Sequence, residues 1–123
     1  MNFENLETYK GLIKLNNISE LGFLKKSCAV KFFEDATYFT KTILKNTTID
    51  SEVYLETEFF DISVYEYMTV YVTTNISLLS NNKIELTHKL ILLNQNHNND
   101  DEILSDTRLI LNCYNIDLSL IHI

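Results

Sequence analysis

Five side chains in this sequence could carry acid–base or nucleophilic chemistry: His88, His97, His122, Cys28 and Cys113. His88 falls on the leucine-rich face of an alternating segment, with Ile84, Leu86, Leu90 and Leu92, which predicts a core histidine rather than a catalytic one. His97 sits in an asparagine-rich loop, a poor platform for a positioned base, and His122 is penultimate in the chain. The two cysteines lie far apart, among apolar neighbours and without CxxC or other metal spacing, so buried free thiols are expected. Oxygen-bearing side chains alternate through Asn94, Asn96, Asn98, Asp100 and Glu102. A calcium loop needs early acids and a glycine at its sharp turn, and both are missing. The sequence therefore predicts no catalytic residue, no metal and no cofactor.

Scarcity of glycine points the same way. Average usage of about 7% would give roughly nine glycines, and the chain has 2, with no proline. Phosphate-cradling loops, dinucleotide fingerprints and nucleophile elbows all use glycine where backbone must approach a ligand or adopt positive φ. Gly11 and Gly22 match none of these patterns. Nucleotide-dependent enzymes and α/β-hydrolase chemistry are excluded on this reading.

The richest pattern lies between Ser51 and Leu93. Val64, Met68, Val70, Val72, Ile76 and Leu78 alternate with Tyr65, Tyr67, Thr69, Tyr71, Thr73, Asn75 and Ser77. A period of two predicts one long strand, Val64–Leu79, with an apolar core face and a hydroxyl-rich face. Tyrosine offers rigid amphipathic contact area, so the second face reads as a protein-contact surface. Its expected contacts are Tyr65, Tyr67, Tyr71 and Tyr54, with Glu56, Glu58, Asp61 and Glu66 around them.

Those contacts need elements to hold them. Phe3, Leu6, Leu12 and Ile13 predict an amphipathic helix over Asn2–Leu15, and Ser19-Glu20 reads as the cap of a second helix. Leu21, Leu24, Cys28, Phe32, Ala36, Phe39 and Ile43 recur at helical spacing along it. Glu52–Phe60 alternates as a strand. Ser80-Asn81-Asn82 can turn a hairpin into Lys83–Leu93, and Thr107–Ile123 reads as a final strand broken near Asn115-Ile116-Asp117. The expected fold is α+β over one domain, 1–123, with N-terminal helices packed on a mainly antiparallel sheet of about four strands.

Net charge is −7 and unevenly spread: residues 1–49 carry seven Lys and five acids, residues 50–123 two Lys, one Arg and twelve acids. An acidic sheet half repels phosphate backbones and anionic lipid, which argues against direct nucleic-acid or membrane binding and for a partner protein with a basic surface. Met1–Glu7 lacks a basic n-region, and the longest apolar runs are too short to span a bilayer, so a cytoplasmic location is expected. Fourteen Asn, nine Lys against one Arg and abundant Ile reflect an AT-rich coding bias.

Glu52-Val53-Tyr54-Leu55, the run Val64–Thr73 and the hairpin into Ile84–Leu93 resemble the sheet of SecB-type export chaperones. The resemblance covers about a third of the chain and implies an acidic, β-rich, oligomeric protein that binds unfolded clients. Its glycine-containing segment and C-terminal helices have no counterpart here. The sequence as a whole predicts a small non-enzymatic binding module, of the kind a phage or mobile element uses to occlude a basic surface of a host protein. The alternative is a structural, assembly or SecB-like chaperone subunit forming homo-oligomers through its sheet.

Overall fold

A computed structural model describes residues 2–44, 47–94 and 100–116. His97, His122, Asn96 and Asn98 lie outside the described residues. Strand β1, Asn2–Leu12, opens the chain; a 3₁₀ turn at Leu15–Asn17 and an extended loop lead into helix α1, Lys26–Ile43. Strands β2 (Thr48–Phe59), β3 (Thr69–Ser80), β4 (Lys83–Leu92) and β5 (Glu102–Asn115) follow. All pairings are antiparallel, and the sheet order is β1-β3-β4-β5-β2. One helix on five strands replaces the expected N-terminal helices on about four.

The first expected helix is β1. Register shifts against β3 fall between Phe3 and Leu6 and between Glu7 and Tyr9. Each inserts residues into the strand, so apolar positions that share a face fall three apart and imitate helical spacing. Asn5 occupies one irregularity with φ 55°, and its N–H donates to Asn75 Oδ1 at 2.7 Å.

Helix α1 buries Ala29, Phe32, Phe33, Ala36, Thr37 and Thr40, a stripe at three-and-four spacing that lies against β1, β3 and β4. It starts later than Ser19 and runs through Thr37, Thr40 and Thr42. Packing of that stripe outweighs the low helix propensity of threonine, and the Thr40 hydroxyl returns a hydrogen bond to the Ala36 carbonyl at 2.8 Å. The core forms two clusters. One gathers Ile13, Phe32, Phe33, Val70, Val72, Leu90 and Leu92 under the helix, and the other Leu44, Ile76, Ile84, Leu86, Leu109 and Leu111 at its C-terminal end.

The expected strand Val64–Leu79 is shorter at its start. It begins at Thr69, and residues 63–68 turn instead. Tyr67 sits at φ 69°, where its N–H donates to the Ile13 carbonyl (2.7 Å) while Ile13 N–H donates to Met68 O (2.8 Å). Within β3 the alternation is as expected from Val70 to Ile76, with Thr74 buried on the core face, and it fails at Leu78, which is exposed. The hairpin at Asn81-Asn82 is as expected.

Strand β2 differs from the rest. It is a sheet edge, few residues of α1 reach it, and nine consecutive residues, Asp50–Glu58, are exposed on both faces.

Candidate active site

The loop before α1 is built on one glycine. Gly22 takes φ +85°, a conformation that strains any side-chain-bearing residue, and closes a turn in which its N–H donates to Ser19 O at 3.0 Å. The Ser19 hydroxyl accepts from Phe23 N–H (3.2 Å), so this serine caps the turn and not the helix as the sequence suggested. Val64 N–H donates to Gly22 O (3.0 Å), Phe23 bridges Ser63, and Lys25 N–H donates to Asn17 O (2.8 Å). The loop is thereby pinned across the crossover from β2 to β3.

Pinned there, the loop leaves a cleft of about 250 Å³ at the start of α1, lined by Leu24, Lys25, Lys26, Phe59, Asp61 and Leu104 among others. Lys25 is extended (ψ 137°) and provides no side-chain cap; its carbonyl accepts from Cys28 N–H (3.0 Å) and Ala29 N–H (3.1 Å), which leaves the Lys26 and Ser27 N–H groups as the donors at the helix start. Such donors, with the positive end of the helix dipole, favour a carbonyl oxygen or an anion. Lys26 Nζ lies 5.4 Å from the centroid of the Phe59 ring, holding the end of β2 to the start of the helix. Apolar walls, a helix terminus, two ammonium groups and one carboxylate meet in this cleft. Chemically that suits an ester or thioester whose alcohol or thiol portion is anionic.

The residues expected to form one contact surface are spread over the β2 edge, the outer face of β3, the 63–68 turn and the helix-terminal cleft. Tyr54, Glu56 and Glu58 are on the β2 edge, where Tyr54 lines an apolar groove of about 260 Å³ with Val30, Phe33 and Thr57, and Glu56 stands 4.0 Å from Arg108. Arg108 pairs more closely with Glu85, at 2.8 Å. Tyr71 lies on the outer face of β3 and donates to Asp101 Oδ2 at 2.7 Å. Burial and that carboxylate push its phenol up to about 12. Tyr65, Glu66 and Tyr67 belong to the 63–68 turn and line a separate cleft. Asp61 alone reaches the helix-terminal cleft. Sequence reading missed Lys25, Lys26, Leu24 and Phe59; the glycine turn before a helix was the one local signal for them.

His88 is buried, as its strand face predicts. Its Nε2 bonds the Thr37 hydroxyl (2.8 Å), its Nδ1 the Thr74 hydroxyl (2.7 Å), and Thr74 meets the Thr8 hydroxyl at 2.8 Å. Phe33 stacks on the imidazole with ring centroids 5.9 Å apart. Desolvation lowers its pKa to about 4, so the ring is neutral and one nitrogen donates while the other accepts. Cys113 is buried with its thiol pushed up by desolvation, and Cys28 is partly buried, its Sγ accepting from Asn17 Nδ2 at 3.4 Å. Among the described residues no group of His, Cys, Asp or Glu could hold a metal, and no helix is long and apolar enough to cross a membrane.

No protein-family model matches the sequence, and no curated protein does. Solved structures do. A hexameric broad-specificity acyl-coenzyme A thioesterase superposes with a TM-score of 0.69 at 6% identity, over 94% of this chain and 83% of the other. A hexameric hotdog-fold thioesterase of Campylobacter jejuni gives 0.67 at 9% identity, over 93% and 92%. An acyl-CoA hydrolase of Staphylococcus aureus, solved with butyryl coenzyme A and coenzyme A, gives 0.66 at 7% identity, over 91% and 65%. These neighbours overturn the expectation of a non-enzymatic phage or mobile-element inhibitor, and of a SecB-like subunit, because the three solved structures just named, which share this architecture, are thioesterases or an acyl-CoA hydrolase. The sequence-based case against an enzyme rested on absent glycine motifs and on histidines and cysteines without catalytic spacing, and the cleft in this chain needs neither: it comes from a helix terminus and a sheet end brought together by topology. A single helix against a five-stranded antiparallel sheet in the order β1-β3-β4-β5-β2 is, in this chain, the hotdog fold.

Proposed function

We propose that this chain hydrolyses acyl thioesters of the acyl-coenzyme A class at the N-terminus of α1. The observation that carries the reading is the cleft itself, apolar on its walls and cationic at its rim, placed at a helix N-terminus on a thioesterase-like fold. In it the acyl chain lies against Leu24, Phe59 and Leu104. The thioester carbonyl faces the α1 N–H groups, which stabilise oxygen as it becomes anionic in the tetrahedral transition state. Lys25 and Lys26 attract the coenzyme's phosphates. Asp61 accepts a proton from the attacking water as its oxygen bonds the carbonyl carbon; the C–S bond then breaks and the leaving sulfur takes that proton from Asp61, giving a carboxylic acid and a free thiol.

Purified protein given acyl-CoA of increasing chain length, with release of free thiol as readout, tests this. Hydrolysis should be saturable and should fall by about 100-fold or more in Asp61→Asn, the range for loss of a general base. Absence of turnover with every chain length refutes the reaction. Full activity in Asp61→Asn refutes the role of that carboxylate.

The chain is proposed to work as a homo-oligomer. The long unpaired edge of β2 presents Val53, Tyr54 and Leu55, each more than two-fifths exposed, and an unprotected strand of this length pairs readily with a second copy. The hexameric state of several structural neighbours supports the same reading. A partner protein with a basic surface has no support here beyond the charge balance.

A further inference from the structure

The crossover between β2 and β3 borders a second cleft, of about 580 Å³, more than twice the volume of the one at the helix terminus. Tyr65, Glu66, Tyr67, Leu92, Asn94 and Glu102 are among its lining residues, and among the described residues no Lys or Arg is. Among the described residues no ammonium or guanidinium group pairs with Glu66 or Glu102. Two tyrosine side chains stand open at its mouth, Tyr65 at 65% and Tyr67 at 69% exposure. We propose that this cleft binds a small organic cation bearing a methylated or quaternary ammonium group.

Charge sets the class of ligand. Two carboxylates without counter-ions attract a cation and repel a phosphate, so the anionic coenzyme of the proposed reaction is turned away from this cleft and towards Lys25 and Lys26. Aromatic faces set the kind of cation. A primary ammonium is strongly hydrated and gains most from a full set of hydrogen-bond acceptors, whereas an alkylated nitrogen gives up water cheaply and rests on the electron-rich face of a ring. Backbone geometry holds one of the rings in place. Tyr67 is a bulky residue at φ 69°, a conformation it would not adopt alone, and the paired hydrogen bonds between Ile13 and the 67–68 backbone impose it. The result keeps the Tyr67 ring on the surface beside Glu66. The thioester reading is not needed for this site, and either can fail without the other.

Choline is the probe, with its uncharged isostere 3,3-dimethylbutanol as the control and backbone amide shifts in the NMR spectrum as the readout. Choline should saturate shifts confined to residues 63–68, 92–94 and 100–102, and should bind about two- to fivefold more tightly than the isostere, the gain expected from a cation over an exposed ring. Tyr67→Asn removes the ring while suiting the left-handed backbone, so the variant should fold at least as well and bind about two- to fivefold more weakly. Glu66→Gln should weaken choline and flatten its dependence on salt. Equal affinity for the isostere, unchanged affinity in Tyr67→Asn, or shifts mapping to the helix-terminal cleft would each overturn the proposal. A trimethyl-lysine peptide that binds more tightly than choline would overturn the small-molecule assignment in favour of a protein tail.

Discussion

Acid should weaken this protein through His88, by an amount that follows from its surroundings. The imidazole is fully buried among Thr37 and Phe33 of α1, Thr74 of β3 and its own strand, and its pKa is lowered to about 4 against 6.5 for the free side chain. Between those two values the unfolded chain binds a proton at His88 that the folded chain does not. Stability is then complete above about pH 6.5 and is lost as pH falls towards 4. Over the whole window the loss is about 3 kcal/mol, at 1.36 kcal/mol per pH unit. From pH 7.5 to pH 5 it is about 2 kcal/mol, which lowers the melting temperature of a domain this size by about 8 °C. Urea denaturation followed by circular dichroism at both pH values measures it, in the natural chain and in His88→Leu. The variant leaves the Thr37 hydroxyl without its imidazole partner and should start about 1–3 kcal/mol less stable. It should lack the His88 part of the pH dependence, while the other histidines and the carboxylates cancel in the comparison. Parallel loss of stability in the two proteins would refute the reasoning, as would an imidazole midpoint near 6.5 for His88 by NMR.

Three further outcomes are expected. Gly22→Ala forces a methyl-bearing residue to φ +85° and should cost about 1–2 kcal/mol although nothing lies within 4 Å of the added carbon; unchanged urea stability would mean the loop relaxes freely. Lys substitutions at both Val53 and Leu55 put charge on the open β2 edge and should convert the oligomer to monomer in analytical ultracentrifugation, with the helical signal retained; an unaltered sedimentation coefficient would move the interface elsewhere. Tyr71 should be among the last tyrosines to ionise in an alkaline titration, near 12, and Asp101→Asn should lower that midpoint only in part, because burial ranks ahead of the hydrogen bond to that carboxylate. Return of the midpoint to an ordinary phenol value would reverse that order.

The sequence was most legible where local pattern and final environment agree. Lys83–Leu92 alternates strictly, pairs on both sides, and carries its histidine inward, so its strand, its hairpin and the burial of His88 could all be read from spacing. The middle of α1 was legible for the same reason. Strand β1 was not, because its irregularities against β3 erase the period of two and substitute one near three. Residues 63–68 alternate as a strand should, yet turn, because hydrogen bonds to Ile13, some fifty residues earlier in the chain, take the backbone out of line at Tyr67.

Composition and spacing alone determined an antiparallel α+β chain with a hairpin, an amphipathic helix and an acidic second half. Only the tertiary structure decided that β2 ends beside the start of α1, that Tyr54 goes to the β2 edge while Tyr65 and Tyr67 go to the 63–68 turn, and that Asp61 joins Lys25 and Lys26 in one cleft. The physical reason is that these residues are adjacent through strand order and not through sequence. A cleft made of a helix terminus and a sheet end needs no motif, so no local pattern records it.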